Sequence, residues 1–291
     1  MSAVDTLCIE LTAKCPLQCI HCSANASPRR MDVLPSAHIR SAVEELAPLT
    51  EVYLSGGEPF EHPDLLEIVH TAVDLAGSVI AYSSGTSRQG NEISPLPRTL
   101  LIAAKATGLS RVDLSIYAAN ATAHDTVTCT PGSFAATLET ARLLRSVGLP
   151  VGIHFVPIGE ASEQLPLVSE LALSLGVERV HVLALAQQGR ASSRVHRLAP
   201  TQHFWQVLTE FARSDHAHET VLSSSIRRQI RPNGQQTARD RLETAFLDVH
   251  GFVYPGEGHR RKRLRSRSSI LSGSRISDLI RDAKQAQELA L

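Results

Sequence analysis

Residues 51–86 read EVYLSGGEPFEHPDLLEIVHTAVDLAGSVIAYSSGT. The stretch opens on a short apolar run at 51–54, passes two glycines, and continues through a longer amphipathic segment at 63–76. It then reaches Gly77 and a second apolar, partly β-branched run at 78–82. Runs of four or five apolar residues have the length of a buried strand, and the longer segment has the period and length of a helix. Gly77 stands where a left-handed residue suits the end of a helix. Two strands joined by a crossover of this length must run parallel, because an antiparallel pair needs only a tight turn. The stretch therefore predicts one strand-helix-strand unit.

Read outward, the unit recurs. Candidate strands lie at 7–11, 51–54, 78–82, 111–116, 150–156 and 179–184, with helical patterns near 36–49, 63–76, 96–107, 133–147 and 164–175. Gly108, Gly148 and Gly176, like Gly77, precede strands and suit helix ends. The expected fold class is α/β. Six units, where a closed barrel has eight, predict a partial (βα)6 TIM-like barrel. Beyond Ala186 the repeat ends. A polar segment at 187–197, a helix at 201–214, a Ser, Arg and Gln-rich tract to about 241, a hairpin at 246–254 around His250-Gly251 and a helix at 275–289 predict a small α+β C-terminal extension. The expected division is 1–190 for the barrel core and 191–291 for the extension.

Composition narrows the function. The 291 residues contain 29 Lys plus Arg and 29 Asp plus Glu, so no global field draws the chain to a polyanion or an anionic membrane. Aromatic content is 4%, which removes the stacking platform of a single-strand binder. No run reaches the roughly 18 apolar residues of a membrane span, and Asp5 and Glu10 interrupt any signal-peptide pattern. A soluble, cytoplasmic protein is expected. Five cysteines form an odd count, and Cys15, Cys19 and Cys22 lie within eight residues of one another. A disulfide framework would spread them, so the cluster points to a metal.

Cys15, Cys19 and Cys22 follow the first strand directly, which delivers three thiolates to one loop. Soft sulfur ligands suit iron-sulfur clusters or zinc, and a structural zinc site is closed by four protein ligands. A three-cysteine site is open. In a 4Fe-4S cluster it leaves one iron free to take the oxygen and nitrogen atoms of a substrate or cofactor. After the second strand, Gly56-Gly57-Glu58-Pro59 forms a turn in which two glycines permit close approach of backbone to a ligand.

The CxxxCxxC order followed by Gly56-Gly57-Glu58-Pro59 resembles the radical S-adenosylmethionine (radical SAM) superfamily, over roughly residues 5–190. The resemblance implies a partial barrel, one 4Fe-4S cluster on Cys15, Cys19 and Cys22, and S-adenosylmethionine (SAM) chelated to the fourth iron. Reductive cleavage of SAM then yields a 5′-deoxyadenosyl radical that abstracts hydrogen from substrate. His21 matches a position that packs near the adenine, and Gly56, Gly57 and Glu58 match the turn at the SAM amino group. Ser83 and Ser84, before Gly85-Thr86, and Ser115 match positions whose hydroxyls approach polar SAM groups. Serine in a loop is also a common turn former. His124-Asp125, Gly132-Ser133-Phe134, Gly189-Arg190-Ala191 and the run from Asp248 to Pro255 resemble the branch with a SPASM or twitch extension. In that branch a cysteine usually follows Val-Tyr-Pro. Here Gly256 does, and no cysteine follows Cys129, so a single cluster is expected. Thr128-Cys129 stands where relatives often have Arg-Gly.

Other residues carry weaker expectations. Cys8 alternates with apolar neighbours and reads as a small buried hydrophobe. Cys129 follows strand four and is a candidate hydrogen-atom donor, as in radical SAM epimerases. His154 and His181 either fill the core or face substrate, and one register step reverses the choice. Glu61-His62 lacks the helical spacing of a zinc protease. The basic run Arg260 to Arg267 either grips an acidic partner or is solvated surface. Expected partners are a peptide or small-molecule substrate and an electron donor such as flavodoxin or ferredoxin, with no membrane and no nucleic acid. Because the sequence starts close to strand one, no N-terminal peptide-recognition domain is expected. A noncatalytic metal-binding module and an RNA-modifying enzyme are the alternative readings.

Overall fold

The computed structural model describes residues 4–177, 179–213, 219–223, 226–227, 243–256 and 265–288. In chain order the elements are β1 (Thr6–Thr12), α1 (Ser36–Leu46), β2 (Leu49–Gly56), α2 (Leu65–Val73), β3 (Ala76–Ser83), β4 (Thr86–Gln89), β5 (Glu92–Pro95), α3 (Arg98–Ala106), β6 (Arg111–Ser115) and α4 (Ala121–Thr128). They continue with α5 (Ser133–Ser146), β7 (Val151–Phe155), α6 (Leu165–Ser174), β8 (Arg179–Val182), α7 (Val195–Leu198), α8 (Gln202–Phe211), β9 (Glu219–Leu222), β10 (Thr244–Leu247), β11 (Val253–Pro255) and α9 (Ile276–Glu288). One sheet takes the order β11-β10-β1-β2-β3-β6-β7-β8-β9, and β4 and β5 form a separate hairpin. Every pairing in the large sheet is parallel except β10 with β11.

The six predicted strands are β1, β2, β3, β6, β7 and β8, in sequential order across the sheet. Their alternation divides the sheet into two unlike faces. Leu7, Ile9, Val52, Leu54, Val79, Leu114, Ile153, Phe155 and Val182 point to one face and join a single apolar core with Ile39, Ile68, Leu101, Leu144 and Val168 of the crossover helices. Among the described residues the opposite face carries no crossover helix. There Cys8, Tyr53, Ile80, Phe246 and Tyr254 cluster, with Tyr82 packed against them. Consecutive right-handed crossovers put α1, α2, α3, α5 and α6 on the same side, as an α/β barrel wall requires. Cys8 is the small buried residue expected on strand one, at 4% exposure.

The sheet has nine strands, where the sequence pattern predicts six. β10 pairs in parallel with β1, in register Thr6↔Thr244 and Ile9↔Leu247. The predicted hairpin at 246–254 is present as β10 and β11, with Leu247↔Val253 beside its turn. Asp248 fixes that turn: its Oδ1 accepts from the backbone N–H of His250 and Phe252, each at 2.9 Å, and Tyr254 donates its hydroxyl to Oδ2 at 3.0 Å. Strand β9 adds to the other edge by pairing with β8. Gly77 is a correction, because it lies inside β3, where a Cβ would sit 2.9 Å from the Thr50 carbonyl oxygen. Gly108, Gly148 and Gly176 do adopt positive φ, of 104°, 71° and 61°.

The basic run falls largely outside the described residues. Of its members, Arg265 lies 3.7 Å from the centroid of the Phe252 ring and Arg267 pairs with Asp282 at 3.5 Å. Among the described residues no helix is long and apolar enough to cross a membrane.

Phe155 has no solvent exposure and is among the largest side chains buried between β7 and the helices. Truncation to alanine is expected to cost about 3–5 kcal/mol in urea unfolding, whereas Met31→Ala, at 75% exposure, changes stability by less than about 0.5 kcal/mol. Equal midpoint shifts for the two variants would contradict the placement of the core.

Candidate functional site

Beyond β1 the chain forms a loop that folds back on itself. The Ala13 N–H donates to Asp32 O at 2.9 Å, Cys15 N–H to Ser27 O at 3.2 Å, and Ser27 N–H to Ala13 O at 3.2 Å. Within it Cys22 N–H donates to Cys19 O at 3.3 Å, and Ala26 N–H to the Cys22 Sγ at 3.4 Å. Cys15 packs with Leu17 and Ala26, and Cys19 and Cys22 pack against that group. All three thiols are free. Burial pushes the pKa values of Cys15 and Cys19 well up, and the neighbouring sulfurs push them further, since each new thiolate repels the next. Cys15 and Cys19 therefore ionise together only when a cation neutralises them, which is the behaviour of a metal site.

Three other parts of the chain hold this loop. Arg190 donates its Nε to Cys19 O at 2.7 Å and its Nη1 to Ala26 O at 2.7 Å, while its backbone N–H reaches Cys22 O at 3.0 Å. The preceding residue must be glycine: Gly189 has φ +54°, and a Cβ there would stand 2.3 Å from Cys22 O. Arg88 on the β4–β5 hairpin donates Nε and Nη2 to Pro16 O at 3.1 and 2.8 Å. Ile20 N–H donates to Val127 O at 2.9 Å, tying the loop to the end of α4.

The Gly56-Gly57 turn supports the same loop. A Cβ on Gly56 would lie 2.5 Å from Thr12 O, and one on Gly57 would lie 2.1 Å from Lys14 O. Gly57 N–H donates to Thr12 O at 2.6 Å and Glu58 N–H to Lys14 O at 2.9 Å. The close approach inferred from these glycines is thus made by the protein's own backbone at the root of the cysteine loop. Glu58 is fully buried. Its Oε1 accepts from Ser83 Oγ at 2.8 Å, and its Oε2 from Ser84 N and Oγ at 2.8 and 2.6 Å. Burial raises its pKa to about 7, against the opposing pull of those hydroxyl and amide donors. Three residues singled out separately in the sequence therefore form one hydrogen-bonded group.

His21 packs edge-on against Tyr117, with ring centroids 4.6 Å apart, and its buried Nδ1 has no partner among the described residues. Burial, aided by the Arg190 charge, lowers its pKa to about 3, so the ring is neutral. Tyr117 was not anticipated. Its buried hydroxyl, beside Ser115 and the field of all three cysteines, has its pKa pushed well up by burial. His124 backs this tyrosine, accepting the Tyr117 N–H on Nδ1 at 3.3 Å. Asp125 instead caps the turn into α5, accepting from Gly132 N at 2.7 Å, Ser133 Oγ at 2.8 Å and Phe134 N at 2.9 Å. Cys129 is exposed, at φ +51° after α4, with its thiol 3.7 Å from Thr126 O and near enough to Cys19 to raise that thiol's pKa. Glu61 pairs with Lys14 at 2.7 Å, and His62 hydrogen-bonds backbone at Leu34 and Asp64.

The family model of the radical SAM superfamily matches residues 9–172, more than half of the chain. The chain belongs to the radical SAM superfamily. It is 32% identical over 184 residues to an AdoMet-dependent heme synthase from Methanosarcina barkeri, covering 62% of this chain and 50% of that one. It is 32% identical over 196 residues to a PqqA peptide cyclase from Rhodopseudomonas palustris, covering 66% and 50%. The chain thus spans about half the length of these curated relatives. The crystal structure of Streptococcus suis SuiB bound to precursor peptide SuiA superposes with a TM-score of 0.71 at 12% identity, over 96% of this chain and 65% of that one. At that identity the likeness concerns the fold alone, and the fold is that of a partial TIM barrel.

Radical SAM proteins use a 4Fe-4S cluster and SAM, and the residues present fit both. The donor set is three free, neighbouring thiols, Cys15 buried and Cys19 and Cys22 partly exposed, and the adjoining wall offers a neutral imidazole with an unpartnered nitrogen.

Two outcomes follow from this geometry. Arg190→Ala removes two side-chain donors to the loop and is expected to lower iron and sulfide content after reconstitution by half or more, with an unchanged far-ultraviolet circular dichroism spectrum. Retention of full iron and sulfide would remove its holding role. Glu58 binds its proton more tightly folded than unfolded, so its stabilising contribution is complete below about pH 4.3 and is lost as pH rises through about 7. The urea midpoint of the wild type should therefore fall relative to Glu58→Gln between pH 4.5 and 7.5; a constant difference across that window contradicts the shift.

Proposed function

We propose that this chain reductively cleaves SAM at one 4Fe-4S cluster held by Cys15, Cys19 and Cys22, and abstracts hydrogen from a peptide or small natural-product substrate. The observation that carries the reading is the gathering of three free thiols in one loop braced by Arg190, Arg88 and the Gly56-Gly57 turn. The bound cluster supplies the electron that splits the carbon–sulfur bond of SAM and frees the 5′-deoxyadenosyl group for hydrogen abstraction. The chain's own residues do the holding. His21, neutral against Tyr117, offers a flat wall and one nitrogen to the adenine. Glu58, fixed by Ser83 and Ser84, sets the turn that contacts the amino group through Gly56 and Gly57. Ser115, beside Tyr117, presents a hydroxyl to the polar end of the cofactor.

A peptide substrate is favoured by the names of the relatives, which include a peptide cyclase and an enzyme crystallised with its precursor peptide. We assign residues 1–190 to the radical SAM core and 191–291 to an extension without cluster ligands. With these go a cytoplasmic location and a flavodoxin or ferredoxin as electron donor. Cys129 is proposed as hydrogen donor on its place alone, exposed at the end of α4, whose last residues accept hydrogen bonds from Gln18 and Ile20 of the cysteine loop.

Anaerobic reconstitution is expected to give about four irons per chain and, under dithionite, 5′-deoxyadenosine. Alanine at Cys15, Cys19 or Cys22 should reduce 5′-deoxyadenosine formation at least about 100-fold while leaving the helical signal intact. Fewer than four irons, or no cleavage by the loaded protein, contradicts the proposal. Unchanged product and turnover in Cys129→Ala would remove that residue's role.

A further inference from the structure

Asp113, His154 and His181 stand on the adjacent strands β6, β7 and β8, on the face opposite the crossover helices. His154 is in register with Ser115 and with His181, and Asp113 is in register with Gly152. All three side chains are buried, with 0%, 5% and 9% exposure. The Nε2 atoms of both histidines converge on one oxygen, Asp113 Oδ2, at 3.3 Å for His154 and 4.0 Å for His181, and neither nitrogen has a hydrogen-bond partner among the described residues. One ligand atom from each residue falls within 4.8 Å of the others. A simple aspartate–histidine pair accounts for His154 at best and leaves the second buried nitrogen unsatisfied, a loss of about 1–3 kcal/mol.

The surroundings build this arrangement. Arg111 fixes the carboxylate, donating Nε to Oδ1 at 2.7 Å and Nη2 to Oδ2 at 3.1 Å. Glycine at 152 lets that carboxylate lie across β7, since a Cβ there would meet Asp113 Oδ1 at 2.0 Å. Tyr82 packs edge-on against His154 with centroids 4.2 Å apart, and the two imidazoles lie 5.1 Å apart at 67°. Two imidazoles and one carboxylate, with the carboxylate oriented by a hydrogen-bonding neighbour, are a donor set for a divalent first-row ion. Ligand atoms around such an ion stand about 3.3 Å apart, close to the shorter spacing seen here.

We propose that Asp113, His154 and His181 bind one divalent first-row transition-metal ion, zinc or ferrous iron, on the interior face of the barrel sheet. The site shares no residue with the cysteine loop and does not depend on the cluster reading. Three protein ligands leave coordination positions open toward the interior, where an oxygen or nitrogen of a bound substrate completes the shell.

The test uses the full chain after anaerobic cluster reconstitution, with iron and sulfide counted separately, equilibrated with zinc chloride and assayed by mass spectrometry and zinc K-edge absorption. The expected result is one zinc per chain in a shell of nitrogen and oxygen at about 2.0–2.1 Å. His154→Ala, His181→Ala and Gly152→Ala should each weaken zinc binding about tenfold or more, with the 4Fe-4S content unchanged. No zinc bound by the wild type, a sulfur-dominated shell, or zinc affinity equal to wild type in folded His154→Ala and His181→Ala would overturn the assignment. The wild-type arms decide it even if a variant fails to fold.

Discussion

Three thiols can serve one metal centre only if their loop is held in a single shape by the rest of the chain. Here the holding is distributed. The glycine turn after β2 underlies the loop, the β4–β5 hairpin grips Pro16 through Arg88, the end of α4 binds Ile20, and Arg190 closes over Cys19 and Ala26. These contacts come from positions spread over some 170 residues of chain, since Cys19 and Arg190 are 171 residues apart. The loop's geometry is therefore a property of the folded sheet and not of the local sequence.

The division of the sheet into an apolar face and a mixed face connects this loop to the rest of the molecule. Residues such as Leu54, Leu114 and Phe155 bind the helices. Their neighbours along the same strands, Tyr53, Asp113 and His154, are turned the other way, onto a face lined by aromatic and ionisable groups. Because side chains alternate along each strand, the same short runs both build the core and furnish the interior with chemistry. Burying Asp113 is tolerated because the Arg111 guanidinium pairs with its carboxylate through two hydrogen bonds.

The strand-helix alternation was legible because buried parallel strands and amphipathic crossovers have strong, distinct periods; the six core strands and five helices coincide with their predicted places to within a few residues. What escaped the reading had weak periodicity. Helix α4 is rich in Thr, His and Asp, and its start is marked only by Asn120, whose Oδ1 accepts the Ala123 N–H at 2.9 Å. The β4–β5 hairpin is polar, and its one signal is the Gly90-Asn91 pair. The cysteine spacing disclosed the metal loop, but nothing local revealed that Tyr117 would stand among those sulfurs or that Arg190 would clamp them. The convergence of Asp113 with His154 and His181 depended on register, which periodicity leaves undetermined until the strands are paired.

The pairing of β10 with β1 bears on how the molecule is assembled. Asp5 and Glu243, joined by a hydrogen bond at the foot of that pairing, are 238 residues apart. During synthesis the outer margin of β1 therefore has its hydrogen-bonding groups open to other chains until almost the whole polypeptide has emerged. A nascent or truncated form ending before β10 would expose this ribbon beside the cysteines, giving intermolecular association an opening that the finished fold removes.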